Sequence, residues 1–239
     1  MKKAIVIGAT SGIGRELAKV LAKKDYIVGL VGRRTELLST LQKEIATKTY
    51  YKTIDISKTE QAMTLLEELI KEMGGMDLIV LNSAVLYSNP SLNWNQDKET
   101  IDVNISGFVA MANVAGNFFF KQGHGHIVGI SSVTIFRTSR NTTVYCASKA
   151  FVSNYLGGLR HKLNRLKTNI YVTEILPGFV ATQMINNRKG MFWIMTPQKA
   201  ARCIYDAIKK KKKRAYITKR WFFVSLLLRI IPDSIKGKI

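Results

Sequence analysis

Cysteine and proline are scarce in this sequence. Its 239 residues include 2 cysteines, Cys146 and Cys203, and 4 prolines. Two cysteines so far apart provide neither a disulfide scaffold nor a Cys-x-x-Cys pair for zinc, and they suit a reducing compartment. Because 46% of the residues are hydrophobic and 22% are charged, the composition also excludes a disordered or collagen-like chain. The sequence therefore predicts a globular, cytoplasmic protein with a large core.

Acidic residues are scarce relative to basic ones, and long hydrophobic runs are few. With 37 Lys and Arg against 16 Asp and Glu, the formal net charge is +21, which suits contact with a polyanion or an anionic membrane surface. The apolar run at residues 4–7 is too short for a signal peptide. The run at residues 221–231 is too short to span a bilayer, which takes roughly 20 helical residues. We expect neither run to act as a signal or to cross a membrane.

Strand and helix patterns alternate along the chain. Apolar runs separated by amphipathic segments predict a parallel sheet with helices on both faces, the doubly wound α/β (Rossmann-type) architecture. No linker or repeat divides the sequence, so we expect one domain over residues 1–218 and a basic, apolar tail helix over 219–239. Ligands of such folds bind at the carboxyl ends of the strands. The predicted strands are residues 3–7, 26–31, 49–54, 78–81, 127–131, 170–176 and 214–218, and the predicted helices are residues 13–24, 36–45, 59–73, 97–120, 144–166 and one that begins at 196–197.

A glycine-rich loop follows the first predicted strand and leads directly into a helix. Its sequence is Gly8-Ala9-Thr10-Ser11-Gly12-Ile13-Gly14. Glycines allow a tight turn and a close approach of the backbone to a pyrophosphate, whose charge is stabilised at a helix N-terminus. The spacing differs from the common Gly-x-Gly-x-x-Gly fingerprint. Taken alone, the loop indicates either a dinucleotide site or a simple strand-to-helix turn.

Further motifs occur in a fixed order after this loop. Asp55 follows the third strand, Asn82-Ser83-Ala84 follows the fourth, and Asn104 lies in the next helix. Ser132 follows the fifth strand, and then come Tyr145-Cys146-Ala147-Ser148-Lys149 and Pro177-Gly178 with Thr182. Together these motifs resemble the short-chain dehydrogenase/reductase family over residues 1–205. Two positions depart from the family pattern: Ile7 replaces a threonine, and Val85 replaces a glycine.

The resemblance implies an oxidoreductase that transfers a hydride between a nicotinamide and a carbonyl or secondary alcohol. Tyr145 and Lys149 are four residues apart, so they share a helix face, and a nearby ammonium lowers the pKa of a tyrosine. The family assigns proton transfer to Tyr145, support of Tyr145 and of the ribose to Lys149, and the carbonyl contact to Ser132, with Ser131 as a competitor. Asn104 resembles the family residue that positions a water in a proton relay. The catalytic residues are thus Asn104, Ser132, Tyr145 and Lys149.

The resemblance and the loop also assign the cofactor site. In NAD enzymes an acidic residue follows the second strand, whereas an arginine there accepts the 2′-phosphate of NADP. This chain has Arg33 and Arg34 at that point, so we expect NADP, with Arg33 as first choice for the phosphate contact and NAD as the alternative. The two arginines could also be ordinary solvated charges. The predicted cofactor-binding residues are Gly8, Thr10, Ser11, Gly12, Ile13, Gly14, Arg33, Arg34, Asp55, Ile56, Asn82, Ser83, Ala84, Tyr145, Lys149, Pro177, Gly178, Val180 and Thr182.

The segment 183–195 corresponds to the part of the family that covers the substrate. Its methionines and aromatic residues favour a bulky, apolar substrate such as a ketoacyl chain or a sphingoid ketone, although they could merely pack the segment on the domain.

His124 and His126 have no acidic or cysteine partner in sequence, so we expect no metal. Gly157-Gly158 could allow close helix packing, and the family resemblance implies a homodimer or homotetramer.

The strongly basic stretch 209–239 leaves two interpretations open. Its apolar part could lie as a helix on an anionic membrane at the inner face, with flanking lysines on the headgroups. It could instead pack on the domain or on a partner subunit. The charge also raises a second class of function, a Rossmann-type binding module for nucleic acid or regulation without catalysis. The intact catalytic motifs and the lack of interleaved aromatics argue against that class, and we expect no specific nucleic-acid binding.

Overall fold

In the described part of the chain, strands and helices alternate, with seven strands and eight α-helices. The computed structural model describes residues 1–137, 139–165, 169–184 and 193–230. The strands are β1 Lys3–Ile7, β2 Ile27–Gly32, β3 Thr49–Thr53, β4 Leu78–Leu81, β5 His124–Ile130, β6 Asn169–Pro177 and β7 Arg214–Ile217. The helices are α1 Gly12–Ala22, α2 Thr35–Glu44, α3 Thr59–Glu72, α4 Trp94–Ile101, α5 Phe108–Gln122, α6 Thr143–Arg165, α7 Pro197–Lys209 and α8 Lys219–Ile230.

All seven strands form one parallel sheet in the order β3-β2-β1-β4-β5-β6-β7. The order reverses between β1 and β4, and this switch places a crevice at the carboxyl ends of the strands. Helices α3, α5 and α6 bury one face of the sheet, while α1, α2 and α7 bury the other. The doubly wound architecture predicted from alternating apolar and amphipathic runs is confirmed.

One helix predicted as continuous contains a middle segment that is not α-helical. The segment predicted as a single α-helix over 97–120 is helical from Trp94 to Gln122, but Asp102–Gly107 between α4 and α5 is a π-helix. This helix is long and apolar enough to cross a membrane by length and composition, yet 56% of its most apolar stretch is buried inside the domain. Many of its apolar residues, such as Met111 and Phe119, therefore belong to the core.

The tail helix α8 packs on the domain with one face and exposes the other. Trp221 and Ser225 are buried, and Trp221 joins a small apolar cluster with Leu176 and Val133. Four large apolar residues point to solvent: Phe222, Phe223, Leu226 and Leu227. The helix thus packs on the domain, which was the alternative to membrane contact for this tail, and it still presents an apolar surface to solvent. Residues 231–239 of the predicted tail lie outside the described residues.

Candidate active site

A cleft of about 490 Å³ lies at the carboxyl ends of the central strands. Every predicted cofactor-binding residue lines it except Gly14, and so do the predicted catalytic residues Ser132, Tyr145 and Lys149. Asn104 does not line it. The fold therefore brings together motifs that are spread from residue 8 to residue 182 of the sequence. The lining also includes Gln183 of the predicted covering segment, and residues that the sequence did not single out: Gly32, Ile54, Val103 and Ile130.

The glycine loop forms the floor of one end of the cleft. Gly8 has a φ of +87°, and the amides of Gly8 and Ala9 both donate to the Val31 carbonyl of β2. Asn82 Nδ2 donates to the Gly8 carbonyl at 3.0 Å, which ties the loop to the end of β4. A Cβ atom at Gly14 would lie 2.1 Å from the Gly8 carbonyl oxygen. Gly14 is therefore needed for α1 to pack against the loop rather than for direct contact with a ligand.

Two arginines stand beside this loop at the end of β2. Arg34 Nη2 donates to Thr10 Oγ1 at 2.8 Å and to Ser11 Oγ at 3.1 Å. Arg33 Nη1 lies 3.5 Å from Glu99 Oε1, an exposed pair of the kind that contributes little to stability. Both arginines line the cleft. Among the described lining residues, Lys149 is the only other cation. The loop end of the cleft is therefore suited to phosphate groups.

Asp55 has a local partner at the end of β3. Its Oδ1 accepts hydrogen bonds from the backbone amide and the hydroxyl of Ser57, at 3.0 and 2.8 Å. This turn directs the chain from β3 into α3 and leaves Asp55 and Ile56 on the cleft wall.

Tyr145 and Lys149 lie one turn apart on α6, as their spacing predicts. Lys149 Nζ is 5.7 Å from the centre of the Tyr145 ring, and it donates to the Ile130 carbonyl at 3.0 Å. Lys149 is 3% exposed, and burial lowers its pKa to about 8. A cation held this close favours the phenolate form of the tyrosine. The pair therefore has the arrangement that a proton-transferring tyrosine requires.

Two neighbouring serines follow β5, and their hydrogen bonds distinguish them. Ser131 Oγ donates to the Lys149 backbone carbonyl at 3.0 Å, so it ties the strand to α6. Ser132 Oγ accepts from the Thr134 amide at 3.1 Å, at the start of a short 3-10 turn Val133–Phe136. Because the Ser132 oxygen is the acceptor in this hydrogen bond, its hydroxyl proton can be donated to a ligand. This difference supports Ser132 over its competitor for the carbonyl contact.

Asn104 lies in the π-helix and connects two walls of the site. Its Oδ1 accepts from the Val85 amide at 2.8 Å, and its Nδ2 donates to the Val85 carbonyl and to Ser148 Oγ at 2.9 and 3.1 Å. Ser148 in turn donates to the Tyr145 carbonyl at 2.7 Å. Asn104 is thereby held between the loop after β4 and the helix of Tyr145. A π-turn at such a point is frequent at functional sites.

Apolar residues from far along the chain pack behind Gly178, which lines the cleft. A Cβ atom at Gly178 would lie 1.9 Å from Trp221 Nε1, so only glycine there leaves room for the indole. Phe179 and Trp193 pack edge to face with Trp221, with ring centres 5.3 and 6.1 Å away. Of the predicted covering segment, residues 185–192 lie outside the described residues, and Met184 lines the cleft.

Trp221 was not a candidate site residue in the sequence, because nothing local marks it. Its position against Gly178 depends on how α8 returns to the sheet.

The predicted absence of a metal concerned His124 and His126. Among residues 1–137, 139–165, 169–184 and 193–230, no group of three or more metal-ligating side chains is suitably arranged.

The cleft fits a dinucleotide. The loop backbone at Gly8 and Gly12 is in the left-handed region, and a Cβ at either residue would come within 3.0 Å of neighbouring atoms, so side chains there would fill the cradle. Two arginines lie at one end, and a tyrosine, a lysine and a serine lie at the other. Such an arrangement can hold a pyrophosphate and move a proton to or from a bound carbonyl oxygen.

Comparison with known proteins agrees with this chemistry. The sequence model of the family described as short chain dehydrogenase matches residues 2–191. An uncharacterized oxidoreductase of Myxococcus xanthus is 34% identical over 188 residues, covering 77% of this chain and 74% of that protein. Another from Staphylococcus aureus is 30% identical over 220 residues, covering 88% and 92%.

Solved structures share the fold over most of the chain. A closed form of serine dehydrogenase complexed with NADP+ has a TM-score of 0.77 at 25% identity, covering 86% of this chain and 88% of that one. A short-chain dehydrogenase from Sphingobium yanoikuyae in complex with NADPH has a TM-score of 0.82 at 20% identity, with 98% of both chains covered. The chain therefore belongs to the short-chain dehydrogenase family and is an NAD(P)-dependent oxidoreductase.

Proposed function

We propose that this enzyme uses NADPH to reduce a ketone on an apolar, lipid-like molecule. The observation that carries the proposal is the shared cleft: Ser132, Tyr145 and Lys149 lie at one end and Arg33 and Arg34 at the other. The alternative of a binding module without catalysis would not need a buried lysine beside Tyr145, because burying that ammonium lowers its pKa to about 8 and so has a cost.

Each catalytic residue acts on one stage of the reaction. Ser132 donates a hydrogen bond to the ketone oxygen and stabilises the negative charge that develops there. Bound NADPH supplies the hydride. Tyr145 gives its phenol proton to the same oxygen, and the Lys149 ammonium stabilises the phenolate that remains. Asn104 connects the loop after β4, through Val85, to the helix of Tyr145, through the Ser148 hydroxyl. In the oxidative direction, the phenolate removes the alcohol proton.

The preference for NADPH is attributed to the two arginines after β2. A planar guanidinium forms paired hydrogen bonds with a phosphate, which NADH lacks at the ribose. No carboxylate occupies this position in the sequence until Glu36. The serine dehydrogenase that resembles this chain at 25% identity was solved with NADP+. These points support NADP over NAD.

We attribute the preference for an apolar substrate to the end of the cleft near Ser132. Val85, Val180 and Met184 line it, and Trp221 lies behind Gly178. Each methylene that a substrate buries there contributes about 0.8 kcal/mol, so such a surface favours long or fused hydrocarbon ketones over sugars.

The experiment that tests this function compares three carbonyl compounds with NADPH: a long-chain methyl ketone, a steroid ketone and a ketose. We expect kcat/KM to be about 100-fold or more higher for at least one apolar ketone than for the ketose, which corresponds to burial of a few methylenes. NADPH consumption is followed by its absorbance. A preference for the ketose would contradict the apolar substrate, and no turnover with any carbonyl compound would contradict the reductase.

We also propose that the enzyme is a homodimer or homotetramer through α5 and α6. Apart from the backbone of their own helices, no atom of the described residues lies within 4 Å of a Cβ placed at Gly116, Gly157 or Gly158, so these glycines face open space. Phe120 and Phe151 are exposed on the same two helices. Small residues beside exposed aromatic rings favour close packing of a second copy.

Peripheral membrane contact is a further part of this proposal, and α8 carries it. This helix exposes Phe222, Phe223, Leu226 and Leu227, and the guanidinium of its Arg220 lies 5.5 Å from the ring of the exposed Trp193. A basic chain with an apolar helix face of this kind can bind an anionic membrane, with the apolar residues among the acyl chains. Trp221 of the same helix packs against Gly178, which lines the cleft, so docking of α8 on a membrane would bring the cleft close to the lipid.

Replacing the two most exposed residues of α8 should weaken vesicle binding. We expect Phe223→Ser with Leu227→Ser to lower affinity for phosphatidylglycerol vesicles about tenfold or more, since each side chain contributes roughly 1.5–3 kcal/mol when buried. The control is Leu92→Ser with Trp94→Ser, because those side chains are also exposed but do not belong to α8. Vesicle co-sedimentation measures the effect. Equal loss in both double variants, or no binding by the parent protein, would contradict membrane docking.

A further inference from the structure

A second cleft lies at the opposite edge of the sheet from the active site. Its volume is about 720 Å³, and it is lined by residues at the amino ends of the strands, from Lys2 before β1 to Asn169 at the start of β6. The end of α7 and the following turn close one side. Because the active-site cleft lies at the carboxyl ends, the two clefts are on opposite sides of the domain. A ligand in the second cleft would therefore leave NADPH undisturbed.

The second cleft is strongly basic. Lys2, Lys24, Lys209 and Lys211 line it, against one carboxylate, Asp77. The carboxylate accepts a hydrogen bond from the Lys3 amide at 2.8 Å, so one of its oxygens already has a partner in the backbone. The four ammonium groups are exposed and come from three separate parts of the chain. Their convergence in one concave site suits an anionic ligand with several charges.

The turn after α7 directs one of these lysines into the cleft. Lys211 has a φ of +48°, uncommon for a residue other than glycine, and its amide donates to the Ile208 carbonyl at 2.9 Å. Its Nζ lies 3.9 Å from the centre of the Tyr171 ring. Part of the lysine run 209–213 is thereby fixed in position rather than spread over a solvated surface.

Three tyrosines give the cleft an aromatic lining. Tyr26, Tyr171 and Tyr205 are all partly buried, and Lys24 Nζ lies 6.0 Å from the centre of the Tyr205 ring. The pKa of Tyr26 is raised, first by burial and then by the charges of Tyr205 and Asp77. Aromatic faces and ammonium groups in one cleft match a ligand that has both a flat ring and phosphates.

We propose that this second cleft binds a nucleoside phosphate, with the phosphates on Lys24, Lys209 and Lys211 and the base against Tyr171 and Tyr205. A cavity of this volume is within the range of small-ligand sites, about 300–1,000 Å³. Stacking on an aromatic ring provides affinity for the base, and lysines provide it for phosphate oxygens. The site goes beyond the reductase function and does not depend on it.

The test measures ATP binding to the full-length protein saturated with NADPH, by calorimetry. We expect one ATP per chain, and we expect Lys24→Gln with Lys209→Gln and Lys211→Gln to weaken it about tenfold or more, since each lost ammonium removes a charge-assisted hydrogen bond. The matched control is Lys43→Gln with Lys71→Gln and Lys121→Gln, which removes the same charge from exposed helix ends outside the cleft. The control should bind ATP as the parent does. Unchanged NADPH affinity shows that each variant is folded.

The base is tested separately with tripolyphosphate and the variants Tyr171→Leu and Tyr205→Leu. We expect the parent protein to bind ATP more tightly than tripolyphosphate, and we expect the leucine variants to weaken ATP binding alone. Absence of ATP binding, or equal losses in the two lysine triples, would overturn the site. Equal affinity for both probes would overturn the assignment of a nucleoside. If single-stranded DNA binds much more tightly than ATP, and the lysine triple weakens that binding, the cleft is a nucleic-acid surface and not a nucleoside phosphate site.

Discussion

Tyr145→Phe is expected to lower kcat/KM for ketone reduction by about 10³-fold or more while leaving the Kd for NADPH within about twofold of the parent value. The size follows from the contribution of a positioned general acid, about 10²–10⁴-fold. The phenylalanine ring keeps its packing on α6, and only the proton donor is lost. Steady-state kinetics with the best ketone and fluorescence titration with NADPH provide the two measurements.

The neighbours of Tyr145 provide controls of two kinds. Lys149→Met should lose both turnover and NADPH affinity, because the ammonium supports the phenolate and, by family resemblance, the ribose. Ser131→Ala should change kcat/KM much less than Ser132→Ala, because the Ser131 hydroxyl already donates to the Lys149 backbone. Near-normal turnover of Tyr145→Phe would contradict the proton-transfer assignment. Parallel loss of NADPH binding in that variant would indicate a structural defect instead.

The sheet could be predicted from the sequence because its signals are local. Continuous apolar runs such as residues 3–7 and 78–81 mark strands buried on both faces, and the amphipathic segments between them fix where the helices lie. The end of α3 at Gly74 and Gly75, both with positive φ, follows from glycine alone. The parallel order then follows from the helical crossovers.

Much of the cleft lining could also be predicted, since each motif follows a strand and strand ends meet at one edge. The interactions between motifs could not be predicted. The bonds of Asn104 to Val85 and Ser148 depend on the π-helix, which has no periodic signal in sequence. The packing of Trp221 on Gly178 depends on the path of the last helix. Arg34 is adjacent to Thr10 only because β2 lies beside β1.

Replacing both arginines after β2 is expected to change cofactor preference more than any other pair of substitutions. Arg33→Ser with Arg34→Ser should raise the Kd for NADPH by about 10²-fold and the Kd for NADH by about threefold or less. Hydrogen bonds between charged partners contribute about 1.5–3 kcal/mol each, and 1.4 kcal/mol corresponds to a factor of ten. Only NADPH carries the 2′-phosphate, so the loss should be selective.

The local contacts of the arginines explain why the loss should be large. Arg34 is held by the Thr10 and Ser11 hydroxyls, so its guanidinium is already oriented beside the glycine loop. The exposed pair of Arg33 with Glu99 is weak and can be exchanged for a phosphate at little cost. A preorganised donor loses less entropy when the ligand binds, and more of its hydrogen-bond energy therefore contributes to affinity.

General electrostatic attraction is the competing explanation, because this chain carries a net charge of +21. Lys23→Ser with Lys43→Ser removes the same charge from exposed positions that do not line the cleft. If the arginines bind the 2′-phosphate, this control leaves both Kd values within about twofold, and the NADPH affinity of the arginine variant falls toward that of NADH. If they only attract anions, the arginine variant loses NADPH and NADH affinity to the same extent, and raising the salt concentration removes the difference from the parent protein.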